Sequence, residues 1–81
     1  MTFGEKLKIC RTALSLTQER TAQMLEVSIR TVQAWEKDLY LPKTNKLMVI
    51  ERVLRVPFGY LLDDRLVFSI ENGILRVRKG D

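Results

Sequence analysis

The 81-residue chain carries 14 Lys+Arg against 10 Asp+Glu, a net charge of +4, with 46% apolar residues, one cysteine and no histidine. That composition excludes a disordered chain, an internal disulfide framework, a four-ligand zinc site and any catalysis that depends on imidazole. So short a chain forms one domain, and its modest basic excess favours an anionic partner such as nucleic acid.

No apolar run approaches the ~20 residues needed to span a bilayer. The start, Met1-Thr2-Phe3-Gly4-Glu5, lacks the layout of a signal peptide, so a cytoplasmic location is expected. Phe3, Leu7, Cys10 and Leu14 recur at helical spacing and predict a first helix over 3–14, with Lys6 and Lys8 off the apolar stripe. Thr17 reads as the N-cap of a second helix that ends near Leu25, with Glu19 in its first turn and Ala22 and Leu25 facing inward. Ser28 caps a third helix that runs to about Lys37, with Val32 and Trp35 beneath it.

Leu39-Tyr40-Leu41-Pro42 is a loop, because the residue before proline is pushed out of the helical region. Thr44 or Asn45 is expected to cap a fourth helix with Leu47, Ile50 and Leu54 inward. Pro57 suits the first turn of a short fifth helix over 57–62. The chain then changes character. Two β-prone runs flank Asn72-Gly73, a strong hairpin signal because both turn positions need positive φ. That loop pairs Glu71 with Ile74, Ile70 with Leu75 and Phe68 with Val77, and places Phe68, Ile70, Leu75 and Val77 on one face.

Residues 17–36 hold two capped helices joined by a connection too short for an antiparallel pair, so the helices must cross steeply. Ala22 permits close approach, Val27 plugs the turn, and the third helix turns Ile29, Arg30, Gln33 and Ala34 outward. A short exposed helix with hydrogen-bonding side chains near its N-terminus suits the major groove. The pattern Arg11, Thr17-Gln18, Ala22, Leu25, Val27-Ser28, Thr31-Val32, Trp35-Glu36, Pro42, Leu47, Ile50, Leu54, Val56 and Leu61-Leu62 resembles the XRE-type family, the phage-repressor and Cro-like helix-turn-helix proteins.

The resemblance, over roughly residues 3–64, implies an all-α, five-helix, lambda-repressor-like helix-turn-helix domain; the domain is taken as 1–64, and the residue pattern itself adds a C-terminal β-hairpin over 65–81. It implies a dimer on a palindromic or near-palindromic operator, with Gln18 and Ser28 near phosphates, Ile29, Arg30, Gln33 and Ala34 facing bases, and Arg11 paired with Glu36. It also brings departures: Glu26, Ser15 and Asp38 stand where the family usually carries glycine, and Thr21 and Glu51 where apolar or small residues are common.

Arg30 is the main candidate for specificity, since arginine can bond guanine O6 and N7 together; Gln33 suits adenine, and Ile29 a thymine methyl. Thr17, Thr31, Lys37, Lys43, Thr44 and Lys46 are candidates for phosphate contact. Trp35 and Cys10 read as core. An isolated hairpin is marginal in water, so the face made by Phe68, Ile70, Leu75 and Val77 is expected to be covered by a second copy as a homodimer interface, or else by the chain's own helices. The leading expectation is a small dimeric repressor binding a double-stranded DNA operator, without enzymatic activity, cofactor, metal, membrane contact or small-molecule ligand. The alternative is a protein-interaction module of antirepressor or antitoxin type, which an apolar recognition face would favour; Arg30, Gln33, Gln18 and the lysine loop are instead polar and suited to DNA.

Overall fold

A computed structural model describes residues 1–80; Asp81, the end of the expected hairpin region, lies outside the described residues. Four α-helices come first: α1 (Phe3–Ala13), α2 (Gln18–Leu25), α3 (Ile29–Glu36) and α4 (Thr44–Leu54). Strands β1 (Leu66–Glu71) and β2 (Ile74–Lys79) follow. Each of the first three helices is capped by a hydroxyl. The Thr2 side chain accepts from the Glu5 N–H at 3.1 Å while the Glu5 carboxylate accepts from the Thr2 N–H at 2.9 Å, a reciprocal capping box. Thr17 and Ser28 accept from the N–H groups of Arg20 and Thr31.

α4 differs from expectation at its start. Lys43 is the N-cap and makes no side-chain bond, while Asn45 turns its side-chain oxygen to the Lys46 N–H. The expected fifth α-helix is also corrected: residues 57–62 make only a 3-10 turn at Tyr60–Leu62. Gly59, at φ +83°, breaks the run, and the bonds from Leu62 to Gly59 and from Asp63 to Tyr60 span three residues. Glu51 explains the geometry here. It is buried at the end of α4, and its carboxylate accepts from the Gly59 N–H at 2.6 Å, anchoring the turn.

The turns after all four helices pass through the left-handed region without glycine, at Ser15, Glu26, Asp38 and Arg55. Asp38 recovers part of that strain: its side chain accepts from the Gly4 N–H at 2.8 Å, so the turn after α3 caps the start of α1. The two elements meet so closely at Gly4 that a Cβ there would lie 2.4 Å from the Glu36 carbonyl oxygen and 2.6 Å from that of Trp35.

The hairpin has the expected register, with Phe68 opposite Val77, Ile70 opposite Leu75 and Glu71 opposite Ile74. Asn72 and Gly73 both take positive φ, as a two-residue turn with right-handed strand twist demands. The hairpin is not a free appendage, because it packs against α1 of its own chain. Leu66 and Phe68 belong to the same core as Leu7, Leu25, Val32, Ile50 and Leu61. Phe68, expected at a dimer interface, is therefore corrected to a core residue, only 1% exposed. Ile70 and Val77 stay exposed, and Leu75 is half-buried.

Lys6 shares that seam. It is completely buried, donates from Nζ to the Asp63 carbonyl and lies 5.7 Å from the centre of the Phe68 ring. A lysine can occupy such a site only when its ammonium finds an acceptor and its stem finds apolar walls.

Candidate nucleic-acid interface

α2 and α3 are joined by Glu26, Val27 and Ser28 alone. The left-handed Glu26 ends α2, the Val27 N–H donates back to the Ala22 carbonyl at 3.0 Å, and Ser28 starts α3. Ala22, only 4% exposed, leaves room for the crossing. Val32 at 0% and Trp35 at 3% exposure hold α3 from beneath. Its outer side is set by these anchors: Arg30 is exposed, Ile29 is 39% exposed, and Thr31 and Gln33 are half-buried. Ala34 is buried and offers almost no surface to a base, which corrects its expected role. The chain doubles back through Asp38 at this point, and the Leu39 N–H donates to the Ala34 carbonyl.

A polar network locks α3 to the rest of the domain. Arg11 Nε is 2.5 Å from Glu36 Oε2, Nη2 is 3.1 Å from Oε1, and Nη1 donates to the Leu16 carbonyl at 3.0 Å. The two side chains are 13% and 5% exposed, so this fork-to-fork pair is shielded from water. Gln18 donates to the same Glu36 Oε1 at 3.0 Å, and its own oxygen accepts from the Gln33 amide at 3.4 Å. The Gln18 side chain is thus engaged within the domain, bridging the ion pair to a residue of the outer side of α3. Sequence reasoning assigned Gln18 and Gln33 separate roles and missed their contact, because residues 15 positions apart on two helices carry no periodic signal.

The candidates for phosphate contact divide. Thr17, Ser28, Lys37, Lys43 and Thr44 are exposed around the ends of α2, α3 and α4. Lys46 instead donates to the Leu25 carbonyl at 2.9 Å, satisfying the C-terminal end of α2, and is half-buried. Thr31 shares a 3.0 Å hydroxyl contact with Ser28. Beside α3 the loop leaves Leu39, Tyr40 and Leu41 more than half exposed, over a groove of about 360 Å³ that reaches Thr31 and Trp35.

Among the described residues no group of three His, Cys, Asp or Glu side chains could hold a metal ion. The titrating groups with clear shifts lie elsewhere. Burial pushes the Cys10 thiol up to about 12, which leaves it a packed and unreactive core residue. Arg65 beside Asp63 holds that carboxyl down at about 2, and hydrogen bonds from Thr2 lower Glu5. Among the described residues no helix is long and apolar enough to cross a membrane.

Comparison with known proteins gives the same architecture. The DNA-binding domain of the P22 c2 repressor, solved in solution, is similar with a TM-score of 0.75 and 26% identity, over 90% of this chain and 93% of that one. The fold also matches SinR, described as the master regulator for biofilm formation and solved in complex with DNA, with a TM-score of 0.71 and 24% identity, over 76% of this chain and 100% of that one. In sequence the chain is 37% identical over 70 residues to the HTH-type transcriptional activator BcrR of Enterococcus faecalis, covering 86% of this chain and 34% of BcrR. This chain thus spans about a third of that relative's length. Residues 7–61 match the helix-turn-helix family, and with the capped α2–turn–α3 unit and its buried anchors the chain belongs to the XRE-type helix-turn-helix proteins.

Proposed function

We propose that this chain is a sequence-specific DNA-binding transcriptional regulator, acting in the cytoplasm, that lays α3 in the major groove of an operator. The observation that carries the reading is Arg30. It stands exposed in the first turn of a helix whose opposite side is fixed by Val32 and Trp35, and whose orientation is held by the Arg11–Glu36–Gln18 network. Such a side chain reaches base edges without rearrangement of the domain. Ile29 and Gln33 flank it, and Lys37, Lys43, Thr17 and Ser28 are spaced around it for the phosphate backbone. Family membership and relatives named as transcriptional regulators support the same reading. It includes two-fold pairing that sets two α3 helices about 34 Å apart, with exposed Ile70 of β1 as the hairpin's share of the contact.

Selection of sites from a random duplex pool, repeated with Arg30→Ala, tests it. The variant should lose about 1–3 kcal/mol on the selected site and relax preference at one base pair. Lys43→Ala should weaken all sequences alike and reduce the salt slope by about one. Failure to enrich any site, or an Arg30→Ala variant with full affinity, would refute the base-reading role. One observation favours a protein-interaction module instead: Leu39, Tyr40 and Leu41 give an apolar border beside α3. Under that reading substitution of these residues, and not of Arg30, abolishes partner capture.

A further inference from the structure

From the open edge of the hairpin we infer a second interaction surface: β2 accepts an extended acidic peptide segment as a third strand. In a hairpin closed by a two-residue turn, the pair next to the turn exchanges hydrogen bonds and every second pair does so after it. Here Glu71–Ile74, Ser69–Arg76 and Val67–Arg78 are those pairs. The backbone groups of Leu66, Phe68 and Ile70 on one strand, and of Leu75, Val77 and Lys79 on the other, therefore point outward. The β1 side is partly closed, because the Leu66 N–H donates to the Asp63 carbonyl and the Phe68 N–H to the Met1 sulfur. The outward N–H and C=O groups of Leu75, Val77 and Lys79 have no protein partner among the described residues, and β2 is exposed along its length except at Leu75. Only an extended backbone satisfies such an alternating row.

Charge selects the occupant. β2 carries Arg76, Arg78 and Lys79 and no acidic residue. A second copy is a poor fit. Every antiparallel register of β2 with its own copy that pairs two or more of the outward residues puts arginine directly opposite arginine, and like charges facing across strands are destabilising. An incoming segment with acidic residues opposite Arg76 and Arg78, and apolar residues opposite Leu75 and Val77, turns the same charges into attraction and extends the half-covered apolar face. This surface is separate from α3 and does not depend on DNA recognition.

The experiment titrates the full chain with a fluorescein-labelled peptide of alternating valine and glutamate, followed by polarisation and by amide exchange. Binding should protect the amides of Leu75, Val77 and Lys79, and the lysine-for-glutamate peptide should bind at least about tenfold more weakly. Val77→Pro removes an outward N–H that the hairpin's own ladder does not use, so binding should fall by about tenfold or more with the β1–β2 amides still protected. A peptide with proline at alternate positions gives the same readout on an unaltered protein, should Val77→Pro unfold the hairpin. Arg76→Glu with Arg78→Glu should reverse the preference between the two peptides. Equal binding of acidic and basic peptides, absence of protection along β2, a chain that dimerises through β2 itself, or a duplex DNA that protects these amides in place of the peptide would each overturn the assignment.

Discussion

Removing the guanidinium of Arg11 should be among the most damaging single changes in this domain. Arg11→Met leaves the Glu36 carboxylate, 5% exposed, with the Gln18 amide as its one remaining donor among the described residues. An uncompensated charge buried to that degree costs about 3–5 kcal/mol. A domain of this length has roughly 4–12 kcal/mol in total, at about 0.05–0.15 kcal/mol per residue, so the variant should lose at least a quarter of its stability and unfold at markedly lower urea. Glu36→Leu should cost less, about 2–3 kcal/mol, because Arg11 keeps the Leu16 carbonyl and some access to water. The double variant buries no lone charge, so it should be more stable than the sum of the singles by about 2–3 kcal/mol. Urea unfolding followed by Trp35 fluorescence and far-ultraviolet circular dichroism measures all three. A coupling below about 0.5 kcal/mol would show that the pair is merely adjacent and would refute the argument from burial.

Glu26→Gly relieves a left-handed glutamate in the turn before α3 and should stabilise by about 1 kcal/mol, seen as a rise in melting temperature of about 4–8 °C; no gain would mean that the side chain offsets its backbone strain. Gly4→Ala drives a methyl into the carbonyls that end α3 and should cost about 1–3 kcal/mol, read in the same melts; a neutral result would mean that α1 slides freely along α3. The carboxyl of Asp63 is held at about 2 by Arg65, so its contribution is present above about pH 4 and disappears as pH falls toward 2. Asp63→Asn should therefore flatten the acid limb of a stability–pH profile in that window and leave the neutral region unchanged in shape.

The amphipathic spacing of Phe3, Leu7 and Cys10, the Thr17 and Ser28 caps, and Asn72-Gly73 each act through neighbours within a few positions. They were legible for that reason, down to the hairpin register. Thr2 and Glu5 form a capping box whose spacing was also readable, though the sequence reading passed over it. What stayed hidden depends on distant partners. Lys6 looks like a surface residue until β1 closes over it, and Lys46 looks like a phosphate ligand until α2 ends beneath its ammonium. The difference at residues 57–62 is of another kind: Pro57 suits a helix start, but Gly59 two residues later takes a backbone conformation that no α-helix contains. At the candidate interface Arg30 lies outward as its position suggested, whereas Ala34 is lost to the return of the chain after Asp38.

The acceptor that Lys6 uses is part of the main chain, and a carbonyl stands at position 63 whatever side chain is there. The tie between α1 and the hairpin is therefore indifferent to drift at position 63 and intolerant of drift at position 6. Methionine at position 6 would fill the volume but leave the carbonyl without a donor, and arginine would need space that a fully enclosed site does not have. Divergent copies of this chain should accordingly vary their acidic and basic residues at 63 and 65 while keeping lysine at 6. Trypsin, which cuts readily after exposed lysines, should spare this one until the hairpin has come away from α1.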